Sequence, residues 1–95
     1  MIARAVRVGR RYLVSGRVQG VGFRYFTESA AAQNGVHGWV RNLPDGRVEI
    51  SAEGDAEAIG RFERQIRQGP RGAHVDAVET ETLPVEGRHS GFTVK

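Results

Sequence analysis

Residues 47–53 alternate strictly between apolar and polar side chains. Val48, Ile50 and Ala52 fall on one face, and Arg47, Glu49, Ser51 and Glu53 on the other. A period of two predicts a strand with one covered and one wet face. Residues 12–18 carry the same period through Tyr12, Val14 and Val18, until Gly20 and Gly22 interrupt it. The spacing then becomes helical from Phe23 to Asn34, with Phe23, Phe26 and Ala30 recurring on one side and Gly35 supplying the stop. Residues 36–43 read as a second strand, joined to residues 47–53 as a hairpin by the turn chemistry of Leu43-Pro44-Asp45-Gly46. Asp55 stands where a helix cap belongs, its carboxylate expected to accept bonds from free amides of the next turn. Ile59, Phe62 and Ile66 form a helical stripe that ends at Gln68-Gly69-Pro70. Residues 73–83 predict a long strand and residues 91–95 a short closing one carrying Phe92 and Val94.

This order predicts an α+β, ferredoxin-like sandwich of βαββαβ topology. Two helices cover one face of an antiparallel sheet, and a short additional C-terminal strand follows. With 95 residues and 39% hydrophobic content, the chain is read as a single domain, residues 1–95. Residues 1–10 are expected as a disordered or extended tail. The net charge of +3 sits mainly there: without Arg4, Arg7, Arg10 and Arg11, 10 basic residues face 11 acidic ones. A solvated arginine-rich end is therefore preferred over a nucleic-acid-binding face. There is no cysteine, which excludes disulfides, cysteine-based metal sites and a thiolate nucleophile. Apolar runs are too short to span a bilayer and no signal segment opens the chain, so a cytoplasmic monomer without membrane association is expected.

The chemistry concentrates at residues 16–24, Gly-Arg-Val-Gln-Gly-Val-Gly-Phe-Arg. Gly20 and Gly22 allow the backbone from Gln19 through Val21 and Phe23 to Arg24 to curl, so that successive N–H groups converge on one anion. A helix beginning near Phe23 adds unpaired amides and the positive end of its dipole, and Arg24 adds a planar guanidinium fork. Substrate binding is accordingly assigned to Gln19, Gly20, Val21, Gly22, Phe23 and Arg24. Glycines alone commonly make plain turns; the order of strand, glycine turn, helix and arginine is what points to a phosphate cradle.

That run resembles the first signature of the acylphosphatases, the small hydrolases of carboxyl–phosphate anhydrides. Gly38-Trp39-Val40-Arg41-Asn42 resembles their second. The likeness extends over essentially all of residues 12–95. It implies that Arg24 binds the phosphoryl group and that Asn42 orients the attacking water, making these the catalytic pair. Asn42 shares strand parity with Gly38 and Val40 and ends that strand, and its amide offers both an acceptor and a donor. An asparagine is no general base, and no aspartate or glutamate falls inside either segment. In-line attack of a positioned water on phosphorus, with a carboxylate leaving, is the expected mechanism, with no metal and no cofactor. The substrate partner is a small-molecule acyl phosphate.

Other residues receive plainer readings. His37, His74 and His89 show no ligand spacing and are read as surface or strand histidines. Phe23 and Phe26 are read as core, Trp39 as packing, and Arg17 and Arg41 as sources of positive potential that steer anions. An RNA-binding module on the same topology would want paired aromatics on the central strands, which residues 48–51 lack. A carbamoyl-phosphate-handling domain of a larger hydrogenase-maturation protein is a second alternative, and an end at Lys95 without a cysteine-rich extension favours a free-standing hydrolase. A third, a degenerate and purely structural member, is weighed against by the intact motifs.

Overall fold

The computed structural model describes residues 6–87 and 89–95. The elements follow in the order β1 (Arg7–Arg17), α1 (Phe23–Asn34), β2 (His37–Asn42), β3 (Val48–Asp55), α2 (Ala56–Gln68), β4 (His74–Leu83) and β5 (Phe92–Val94). The five strands form one sheet in the order β4-β1-β3-β2-β5. β1 pairs antiparallel with both β3 and β4, and β2 and β3 form the expected hairpin.

The apolar faces predicted from the alternation all point the same way. Tyr12, Val14, Val40, Val48, Ile50 and Ala52 are fully buried beneath Phe23, Ala30 and Ala31 of α1 and Ile59, Phe62 and Ile66 of α2. Phe62 sits at the centre, its ring centroid 6.2 Å from Tyr12 and 6.1 Å from Phe92. Full burial of each of the valine, isoleucine and phenylalanine side chains contributes about 1.5–3 kcal/mol, and the helix stripe and the strand alternation are the two halves of that burial. No helix among the described residues is long and apolar enough to cross a membrane.

Four details depart from the sequence expectations. β5 runs parallel to β2, so the sheet is mixed and not wholly antiparallel. β4 and β5 lie on opposite edges, and residues 84–87 and 89–91 lie on the crossing between them; Gly91 stands at the end where β2 begins, with Gly38 N–H donating to its carbonyl at 2.9 Å. Entering from that end, β5 can only run alongside β2. The hairpin pairing with β3 keeps Gly38 a glycine: its φ is 145° and a Cβ there would overlap the Ser51 carbonyl oxygen.

The second departure is the start of β1. Residues 7–10, expected as tail, belong to the strand, paired with residues 52–55 of β3. Residues 1–5, Arg4 among them, lie outside the described residues. Arg11 is tolerated in the middle of the sheet because Glu49 of the neighbouring strand accepts from its Nε at 2.6 Å.

Third, Glu49 and Glu53 point to the wet face as expected yet are buried, 4% and 5% exposed. Glu49 is roofed by Arg11 and by Arg41, whose Nε also donates at 2.6 Å. Glu53 accepts the backbone N–H groups of Glu86 and Gly87 at 3.2 and 3.0 Å and so pins the crossing segment. Burial disfavours both charges, but the bonds from Arg11 and Arg41 outweigh it at Glu49, and those from Gly87 and Glu86 do so at Glu53. Both carboxyls are held below the ordinary carboxylate range. A lowered folded-state pKa gives stability that is fully present above the unfolded value and lost as pH falls through the folded one. Denaturant melts should therefore weaken below about pH 4. Glu49→Gln should cost about 1–3 kcal/mol at neutral pH and progressively less as the pH falls through the lowered folded-state value, where the wild-type carboxyl loses its own charge. A loss independent of pH would contradict this.

Fourth, Asp55 occupies the cap position of α2 but makes no side-chain cap bond. Its carboxylate lies 3.8 Å from Arg7, and the first free amide, Ala56 N–H, donates instead to the Val6 carbonyl at 2.8 Å. The residue just upstream of β1 thus takes one of the free amides of the first turn, and the Asp55 side chain faces Arg7 instead.

Candidate active site

The site forms where β1 gives way to α1. Val18 is buried and ends the strand's grip on the core. Gly20 and Gly22 follow with φ of 76° and 77°. A Cβ at either would meet open space, so it is the left-handed backbone, not crowding, that calls for glycine. Gly22 is also the N-cap of α1, without a side-chain cap bond, and its carbonyl takes the first helical bond from Phe26 N–H at 3.0 Å. The first N–H groups of α1 therefore have no intrahelical acceptor, and no side chain of the cap residue covers them.

Asn42 comes to the same place from the end of β2. The brace is Gln19, whose Nε2 donates to the carbonyls of Leu43 and Arg47 at 2.8 and 3.0 Å. Leu43 follows Asn42, so one amide ties the glycine loop to the hairpin that carries the second signature. Asn42 itself is exposed and its side chain has no bonded partner among the described residues. Arg24, half-buried in the first turn of α1, donates through Nη1 to the Lys95 main-chain oxygen at 2.7 Å. Lys95 is in turn fixed by its own N–H on the Val40 carbonyl at 2.9 Å and by Nζ lying 4.4 Å from the Trp39 ring centroid. One guanidinium edge is thus tethered and the remaining donors are left for a ligand.

Between these groups lies a cleft of about 110 Å³ lined by Gly20, Gly22, Phe23, Arg24 and Asn42, together with Val18 and Tyr25. Pockets for drug-sized ligands run from roughly 300 Å³ upward; this one suits a phosphoryl group and not a nucleotide. None of its lining residues is a carboxylate or an imidazole.

Five of the seven residues expected at the site therefore meet in the cleft. Gln19 and Val21 do not line it: the Gln19 side chain is the brace, and Val21 packs against the core. Their backbone amides remain part of the loop. The sequence reading missed Val18, which its strand parity marked only as core, and Tyr25, which no helical stripe includes. It missed Lys95 as well, since only the path of β5 brings residue 95 to residue 24. Phe23 packs 6.0 Å from Phe26, as core residues. Trp39 lies on the wet face between Arg41 and Lys95. Arg41 is paired with Glu49 and adds little unbalanced charge, whereas Arg17 is exposed and has no ion-pair partner among the described residues.

A cleft that offers an anion backbone amides and a guanidinium, beside a free amide that can hold water, belongs to a phosphohydrolase on an α+β sandwich. The comparisons narrow that class. The sequence profile of the acylphosphatase family matches residues 10–94. An acylphosphatase of Koribacter versatilis is 49% identical over 90% of this chain and 78% of its own length. One of Pseudomonas paraeruginosa is 51% identical over 86% and 89%. The crystal structure of acylphosphatase from Bacillus subtilis superposes with a TM-score of 0.89 at 38% identity, covering 93% of this chain and 98% of that one. The chain belongs to the acylphosphatase family and is an enzyme that hydrolyses the carboxyl–phosphate bond. A full-length HypF structure also matches, with a TM-score of 0.85 at 25% identity, but this chain covers only 12% of it.

Proposed function

We propose that the cleft binds the phosphoryl group of a small acyl phosphate and that Arg24 and Asn42 divide the catalysis between them. The observation that carries this reading is that a guanidinium with spare donors and an amide with no partner among the described residues line one cleft the size of a phosphoryl group. The loop amides and Arg24 take the non-bridging phosphoryl oxygens, where charge is held in the transition state. Asn42 offers the water its carbonyl as acceptor and its amide N–H as donor, setting the water in line with the bond to be broken. The water oxygen bonds to phosphorus as the bond from phosphorus to the acyl oxygen breaks. The carboxylate leaves with its electron pair, and the water's proton passes to a phosphate oxygen. A carboxylate needs little acid assistance to leave, which suits a cleft without a titrating acid, and neither a metal nor a phosphoenzyme is required.

The cleft is complete within one chain, which supports action as a monomer. The absence of cysteine accords with a reducing cytoplasm, and the exposed charge pattern favours neither a membrane nor a nucleic acid as partner. Hydrolysis of benzoyl phosphate in H₂¹⁸O tests the reaction. The expected label is in inorganic phosphate; label in benzoate would place the attack on carbon and overturn the role given to Asn42.

A further inference from the structure

Resting on that reading, we propose that Tyr25 determines specificity: its ring is a platform for the acyl group, selecting planar, apolar acyl phosphates over small aliphatic ones. In-line displacement needs a place for the water and, on the far side of phosphorus, a place for the leaving acyl group. The cleft offers few side chains for these two tasks. Val18 and Phe23 are each 1% exposed and spend their surface on the core. Gly20 and Gly22 have no side chains, and Arg24 is committed to the phosphoryl oxygens and to Lys95. Asn42 and Tyr25 remain, and Asn42 is the one whose chemistry suits water.

Tyr25 is 63% exposed, a large aromatic left in solvent at the wall of the cleft. Its neighbours in sequence do not share this: Phe23 and Phe26 turn inward and pack on each other. Side chains on a helix lean toward its N-terminus and cover the turn before their own Cα. From the third position of α1, Tyr25 therefore leans over the Gly20–Gly22 loop and its bound phosphoryl group. An exposed ring beside an anion site gains by covering an apolar partner, and an offset or edge-on contact with an aromatic acyl group is the favoured form. The ring face makes no hydrogen-bond demand, so the selection is for flat apolar surface and not for a particular polar group.

The test compares benzoyl phosphate and acetyl phosphate with the full chain and its Tyr25→Ala and Tyr25→Phe variants. Tyr25→Ala is expected to lose about fivefold in kcat/KM on benzoyl phosphate, chiefly through KM, and less than about twofold on acetyl phosphate. Tyr25→Phe keeps the ring and should restore the wild-type ratio. Inhibition by inorganic phosphate, which has no acyl group, should be unchanged in both variants. Equal losses on the two substrates, or no loss on either, would overturn the platform while leaving the catalytic reading intact. A wild type that hydrolyses neither substrate would instead remove the reading on which the platform rests.

Discussion

Arg24→Ala should lower kcat/KM for benzoyl phosphate by about 10²–10³-fold, the loss typical of removing one well-aimed donor to a charged transition state. The cleft without Arg24 still has the loop amides, which is why the expected effect is not larger. No other cation is among its described lining residues, and Arg41 is held on Glu49 and beside the Trp39 ring. Arg24→Lys should recover only a small part of the activity. An ammonium presents a point charge where the cleft calls for a fork with one edge held on Lys95 and the rest directed at oxygens. Because the Arg24–Lys95 bond is exposed, the fold should lose no more than about 1 kcal/mol. Inorganic phosphate should inhibit the Arg24→Ala variant far more weakly than the wild type. Urea melts that stay close to wild type would separate loss of the site from loss of the fold.

Asn42→Ala should reduce kcat by about 10²-fold with little change in KM or in inhibition by phosphate. Its amide is exposed and has no partner among the described residues, so removing it breaks no bond between them. What it removes is the direction of one water, an effect realised only as the transition state forms. Asn42→Asp should behave differently, because a carboxylate beside the bound phosphoryl group repels it and raises KM as well.

Local pattern carried most of the fold. The alternation at residues 47–53 and the stripe of Ile59, Phe62 and Ile66 each encode which face is covered, and those faces meet in the structure. Information held by distant partners was not legible. The start of β1 depends on Glu49 receiving Arg11 across 38 residues, so the arginine-rich stretch resembles a tail until β3 is beside it. The direction of β5 depends on Gly91 meeting Gly38 at the start of β2, and the burial of Glu53 on the Glu86 and Gly87 amides bonding to it. Asp55 looks like a cap because of its position, but the acceptor for Ala56 comes from Val6, just upstream of a strand start the pattern did not reveal.

The site divides along the same line. Gly20, Gly22 and Arg24 lie within one short segment whose strand, turn and helix order already implies a cradle, and Asn42 was reached through its own signature. Gln19 was expected to contribute its backbone amide, whereas its side chain proves to be the brace to Leu43 and Arg47. Such a role cannot be read from spacing, since it depends on the hairpin folding back over the loop. Tyr25 and Lys95 were invisible for a related reason. One is an exposed residue outside every periodic stripe, and the other meets Arg24 only after the whole sheet has formed.

The division of labour between Arg24 and Asn42 is tested most directly by measuring kcat for benzoyl phosphate and the inhibition constant of inorganic phosphate on Asn42→Ala. The expected result is a kcat about 10²-fold below wild type beside a phosphate inhibition constant within about twofold of it. A parallel loss of both would show that Asn42 holds the phosphoryl group and not the water, contradicting the two-part site.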